Sequence, residues 1–271
     1  MLGIFDSGFG GLTVLKPIHE LLPKLSTIYL GDNARAPYGV RSQEEIYRYT
    51  LEGVRFLFEQ GCPLVILACN TASSQALRRI QHEVIPAEFP DRRVLGVIRP
   101  AAEYLANSES TDGIFATPAT VDSGAYIEEV RNLNPDLNLH QLACPGLTDL
   151  IEAGQHDGEN CSRLVEHFSK KLIGLNPSIE QVLLGCTHYP LIHDLFQKHL
   201  PERIKVLDQG EIIATSLADY LDNHPEITKH LDQAGSRQYF TSGDTNSKLG
   251  SQFYGEEINH WQEFKNHLSS R

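Results

Sequence analysis

The chain of 271 residues has no CxxC pair, a single methionine, a single tryptophan and no basic excess. It has no apolar run near the ~20 residues of a membrane-spanning helix, which excludes a helical membrane protein. A formal net charge of −12 argues against a nucleic-acid partner, which would need a basic face. The largest basic features are adjacent pairs such as Arg92-Arg93. No basic segment precedes the first apolar stretch, and Asp6 follows it at once, so no secretory signal is expected. Long charge runs and low-complexity linkers are missing too, so connections between domains must be short.

The five cysteines, Cys62, Cys69, Cys144, Cys161 and Cys186, form an odd set without close pairs. That usage fits reduced thiols in a cytoplasm better than a disulfide framework, and it lacks the ligand spacing of a structural zinc site. Cys186-x-His188 comes nearest to a metal pair, but nothing adjacent completes it, so no metal is expected. Hydrophobic content of 41% with 21% charged residues is ordinary for a globular enzyme, and the length allows one large domain or two modest ones.

Against these absences one pattern stands out. Val65-Ile66-Leu67-Ala68-Cys69-Asn70-Thr71-Ala72 has a near-copy in Val182-Leu183-Leu184-Gly185-Cys186-Thr187-His188-Tyr189. Each apolar run reads as a buried parallel strand, and the residues after it as the opening of a helix. A cysteine at such a turn is expected to have a lowered thiol pKa, because free backbone N–H groups and the helix dipole favour thiolate.

Taken in order, Leu2–Phe5 is a first strand running into the glycine-rich turn Asp6-Ser7-Gly8-Phe9-Gly10-Gly11. The turn lacks the GK[ST] ending of a nucleotide loop. Asp6, at a strand's carboxyl end, is aimed into the crevice where open α/β sheets bind ligands. A helix over 12–22 and a strand over 27–30 follow, then a polar loop containing Pro37-Tyr38-Gly39. Ser42 and Glu45 form a capping box opening a helix to about Gln60. Asn70 or Thr71 caps a helix to roughly Gln81, and the strand over 94–97 is ended by Pro100. Cys62 lies at the opposite end of its strand, Cys144 precedes a different turn, and Cys161 falls mid-helix, so all three read as structural.

At Gly113-Ile114-Phe115-Ala116-Thr117 the chain restarts, matching Gly3-Ile4-Phe5-Asp6-Ser7 at an offset of 110, while Cys69 and Cys186 are offset by 117. Two related α/β units are therefore expected. They are doubly wound, mostly parallel-sheet domains related by a pseudo-two-fold, with the active site in the cleft between them. The first spans 1–95 plus 210–271, because the tail around Ile258, Trp261 and Phe264 packs back on it; the second spans 96–209.

Two matched thiols facing one substrate suit inversion of a stereocentre, which needs a base on one face and an acid on the other. An unperturbed thiol pKa of about 8.5 lets both protonation states be populated near working pH. Asp6-Ser7-Gly8-Phe9-Gly10-Gly11-Leu12-Thr13, Pro37-Tyr38-Gly39, Ala68-Cys69-Asn70-Thr71-Ala72 and Gly185-Cys186-Thr187-His188-Tyr189-Pro190 together resemble the glutamate racemases. So do Ala116-Thr117-Pro118-Ala119-Thr120 and Phe240-Thr241-Ser242-Gly243-Asp244.

The resemblance implies a cofactor-independent, usually homodimeric enzyme that interconverts L- and D-glutamate for peptidoglycan synthesis. It implies that Cys69 acts on the α-proton of D-glutamate and Cys186 on that of L-glutamate. Asp6 would assist Cys69, His188 would assist Cys186, and Glu152 would be a further acidic helper on that second side. Asp6, Ser7, Tyr38, Gly39, Asn70, Thr71 and Thr187 would hold the substrate's charged groups, with Thr117, Thr120 and His188 contributing. The chain departs from the family's usual Asp-Ser at Asp208-Gln209, and Arg99 before Pro100 is unusual; both departures are expected to bear on regulation or dimer contacts.

Three other readings compete. An aspartate racemase is the neighbouring one, and His188 is the discriminator, since aspartate enzymes carry Glu at the matching place. A cysteine hydrolase explains Cys186 with His188 but leaves Cys69 without a task. A non-enzymatic binding protein on an enzyme fold leaves the intact motifs unused.

Overall fold

The computed structural model describes residues 1–108, 110–245 and 248–265. Two parallel sheets organise it. The first comprises β1 (Leu2–Asp6), β2 (Thr27–Gly31), β3 (Leu64–Leu67), β4 (Arg93–Gly96), β9 (Arg237–Thr241) and β10 (Trp261–Glu263), in the order β10-β9-β2-β1-β3-β4. The second comprises β5 (Asp112–Ala116), β6 (Leu139–Ala143), β7 (Gln181–Gly185) and β8 (Lys205–Leu207), in the order β6-β5-β7-β8. Every pairing is parallel.

The order β2-β1-β3-β4 repeats as β6-β5-β7-β8, so the repeat read in the sequence is a repeat of topology. Register makes the equivalence atomic. Phe5 pairs with Leu67 and Phe115 with Leu184, so Cys69 and Cys186 each lie two residues beyond matching pairs. The repeated glycines share a valine neighbour on the adjoining strand. A Cβ on Gly3 would meet Val65 Cγ2 at 3.0 Å, and one on Gly113 would meet Val182 Cγ2 at 3.2 Å. In both sheets the glycine makes room for the neighbouring strand's valine, and at Gly113 also for Leu172, 2.9 Å from where a Cβ would lie.

β1, β3, β5 and β7 are buried along their whole length, as expected of strands covered on both faces. Each therefore presents only its carboxyl end to ligands. The chain passes to the second sheet after β4 and returns by the helix Gly210–Asn223. The tail then extends the first sheet beyond β2, where Trp261 meets Phe9 edge-on (5.1 Å between ring centres) and Phe264 packs at a tilt against Phe56 (4.8 Å).

The capping box at Ser42 and Glu45 is present, opening the helix Gln43–Glu59. Other expectations need correction. Pro100 does not end a strand; it sits in the first turn of the helix Ile98–Ala106, where a missing N–H costs nothing. The helix after Cys69 stops at Gln75, resumes at Leu77 and continues through a π turn (Ile80–Val84) to Glu88. Cys161 is the third residue of the helix Glu159–Leu175, not mid-helix, and is fully buried. No described helix is long and apolar enough to cross a membrane.

Candidate active site

The carboxyl ends of β1, β3, β5 and β7 converge on one small cavity. Cys69 and Cys186 both line it, one from each sheet, with Ser7, Tyr38, Gly39, Asn70 and Thr71 on the first side and Thr117, Thr187 and His188 on the second. The structure thus brings together most residues singled out in the sequence. Thr148, which also lines the cavity, was missed. It follows the Cys144-Pro145-Gly146 turn, and a lone hydroxyl there has no local signature.

Cys69 itself, not Asn70 or Thr71, is the N-cap of the helix Asn70–Gln75. Its Sγ accepts from Ala72 N and donates to Ser7 Oγ, both at 3.4 Å. The helix start does not lower its pKa as expected. Burial dominates, the Asp6 charge adds to it, and the thiol is pushed up to about 12, against the smaller opposing pull of Ser7 and Ala72 N–H. Burial thus holds Cys69 in its neutral thiol form.

Asp6, expected to be aimed into the ligand crevice, is fully buried and does not line the cavity. Its Oδ2 accepts from Gly8 N at 3.0 Å and its Oδ1 from Thr187 Oγ1 at 3.2 Å, so it ties the two units together. Its influence on Cys69 is through charge. Burial raises the carboxyl to about 6, against the opposing pull of His188 and the Gly8 and Gly11 N–H groups. The glycine turn serves this junction. A Cβ on Gly10 would lie 2.6 Å from Thr187 Oγ1 and 2.7 Å from His188 Nδ1, so glycine is what lets the second unit's loop approach.

Cys186 Sγ lies 3.8 Å from His188 Nδ1 and 3.9 Å from Thr148 Oγ1. His188 Nε2 donates to the Glu152 carboxylate, which stands outside the cavity wall, and Phe253 meets the imidazole edge-on at 5.3 Å. Burial would depress the His188 pKa, but Glu152 and Cys186 outweigh it and hold it well above the ordinary range. His188 therefore favours its imidazolium form, with the Glu152 carboxylate balancing that charge from behind. Among the described residues no group of three His, Cys, Asp or Glu side chains is placed to hold a metal.

The remaining candidates form the walls. Thr71, Thr117 and Thr120 hydroxyls lie 2.9–3.3 Å apart in one triangle, with Thr120 outside the cavity lining. Tyr38 donates its hydroxyl to Asp32 at 2.5 Å, so its ring forms a wall while its oxygen is engaged elsewhere. Cys144 is buried near Cys186, with burial and then that neighbour raising its thiol well above the usual range. Arg99 is on the surface, paired with Glu103 and Glu129. Gln209, expected to bear on regulation or dimer contacts, instead touches a motif block. It is buried and hydrogen-bonded to Asn70, a contact across 139 residues that no local pattern announces.

The Asp/Glu/Hydantoin racemase family model matches residues 6–217. A glutamate racemase of Roseobacter denitrificans is 43% identical over 255 residues, covering 90% of this chain and 91% of that protein. The crystal structure of a glutamate racemase isoform from Bacillus anthracis superposes with a TM-score of 0.86 at 31% identity, covering 98% of this chain and 97% of that one. One from Francisella tularensis, in complex with D-glutamate, gives 0.85 at 29% identity and 97% of both chains.

Proposed function

The chain belongs to the Asp/Glu/Hydantoin racemase family, and from that premise we propose that it interconverts L- and D-glutamate by proton exchange at Cα between Cys69 and Cys186. The observation that carries this reading is the pair of thiols entering one cavity from topologically equivalent positions of two sheets. A hydrolase would leave one of them idle. Cys69 exchanges the α-proton of D-glutamate and Cys186 that of L-glutamate, with one proton shared between the thiols. His188, charged and backed by Glu152, suits a thiolate at Cys186. Asp6 offers a carboxylate near Cys69 whose affinity for a proton is already raised. Hydroxyls and backbone N–H groups of Ser7, Gly39, Asn70, Thr71, Thr117 and Thr187 orient the substrate without fixing either thiol's protonation state. By family likeness the reading extends to a cytoplasmic homodimer, acting without cofactor, whose D-glutamate enters peptidoglycan.

The direct assay follows the circular dichroism of L-glutamate incubated with the protein and nothing else. Decay of the signal to zero is expected, with L-aspartate in parallel unchanged. A stable L-glutamate signal, or conversion of aspartate alone, overturns the substrate assignment.

A pH dependence follows from Asp6. Its carboxyl titrates at about 6 in the free protein, so the carboxylate is present above that value and lost below it. Hence kcat/KM is expected to fall as pH drops through 6, and the Asp6→Asn variant to retain a lower rate without that acid limb. Initial rates across the range check this; an unchanged limb in the variant assigns it to another group.

A further inference from the structure

Asn70 is gripped from behind by two residues that belong to other elements. Its Nδ2 donates to Gln209 Oε1 at 2.7 Å, and Gln209 Nε2 donates back to Asn70 Oδ1 at 3.2 Å. The Tyr126 hydroxyl donates to the same Oδ1 at 2.7 Å and accepts from Gln209 Nε2. All three side chains are buried. Asn70 opens the helix after β3 of the first sheet, Tyr126 lies in the helix Ala125–Leu133 after β5 of the second, and Gln209 immediately precedes the helix Gly210–Asn223. The ring therefore closes across the junction of the two sheets.

A primary amide has two N–H donors and an oxygen with two lone pairs. In Asn70 both lone pairs and one N–H are taken by Gln209 and Tyr126. One N–H remains, on a residue that lines the cavity. We propose that Gln209 is a positioning residue, which holds Asn70 so that this one N–H is offered to a carboxylate of the substrate. Reversing both amides and the hydroxyl would keep the ring satisfied but present a carbonyl oxygen to the cavity; an anionic substrate selects the arrangement seen. Gln209 suits the task because its own amide answers both ends of the Asn70 amide at once, which a hydroxyl cannot. The inference rests on Asn70 as a substrate contact, part of the function proposed above.

The test is a double-mutant cycle on the full chain, with Asn70→Ala, Gln209→Met and the pair, read as initial rates from L- and D-glutamate. Lost hydrogen bonds to a charged group raise KM; Asn70→Ala is expected to do so by ~10-fold or more, for both enantiomers. Gln209→Met is expected to raise KM by a similar factor with kcat within ~3-fold, and the double variant to match Asn70→Ala alone. Multiplying effects in the double variant, or a raised KM in Asn70→Ala only, overturns the role of Gln209 while leaving Asn70 as a contact. An unchanged KM in Asn70→Ala overturns both. Should Gln209→Met fail to fold, Tyr126→Phe, which deletes only the ring's hydroxyl, runs in the same cycle with the same expected non-additivity.

Discussion

Cys69→Ser and Cys186→Ser are each expected to lower glutamate racemisation by at least ~10³-fold, with native folding retained. A serine hydroxyl keeps the capping geometry at Ala72 N and the contact with Ser7, so little of the structure depends on sulfur at position 69. It is a far weaker proton-transfer group, however. The two enantiomers have equal free energy in solution, so kcat/KM must fall equally in both directions whichever thiol is removed. Because thermodynamics imposes that equality on any variant, what distinguishes a shared two-face mechanism from a site in which one cysteine is structural is that both single variants lose racemisation. Steady-state rates in both directions, with melting temperatures as the folding control, check it. Substantial turnover by either variant contradicts the scheme.

His188→Asn is expected to lower kcat by about 10²-fold, and Glu152→Gln to move the alkaline limb of the pH profile to lower pH. The direction follows from the balance at His188. Burial disfavours the imidazolium, and the Glu152 carboxylate and Cys186 more than compensate. Without the carboxylate, burial is less opposed and the positive charge is lost at lower pH. If activity requires that charge beside Cys186 Sγ, 3.8 Å away, the rate is lost earlier on the alkaline side. Asparagine at 188 removes the charge at every pH, so that variant loses the limb together with most of its rate. An unmoved limb in Glu152→Gln means that Glu152 does not set the charge of His188.

The parts of this site that were legible in the sequence are those with local signatures. A β-strand, a small residue and a cysteine before a helix start are contiguous, and a second copy at a similar offset revealed two equivalent units. The paired glycines 3 and 113 belong to the same signal, since each accommodates the valine of the adjoining strand. What was not legible depends on contacts between distant segments. Thr148 enters the cavity from another turn, and the Asn70, Tyr126 and Gln209 ring joins three elements. The expected low pKa of Cys69 failed for a related reason. A helix terminus is visible in sequence, but the burial that outweighs it is the sum of the surrounding fold. The break at Ala76 was hidden too, because the residues there have no helix-breaking side chains.

The central claim is that two opposed thiols each own one face of Cα. The most direct measurement is the isotope content of both glutamate pools when L-glutamate is converted by the native protein in D₂O, sampled at a few per cent conversion. Product-side protonation comes from a thiol already equilibrated with solvent. D-Glutamate is therefore predicted to carry deuterium at Cα from the first time point, while unreacted L-glutamate keeps its protium. D-Glutamate that retains the substrate's own protium would require one group to serve both faces, and would contradict the account.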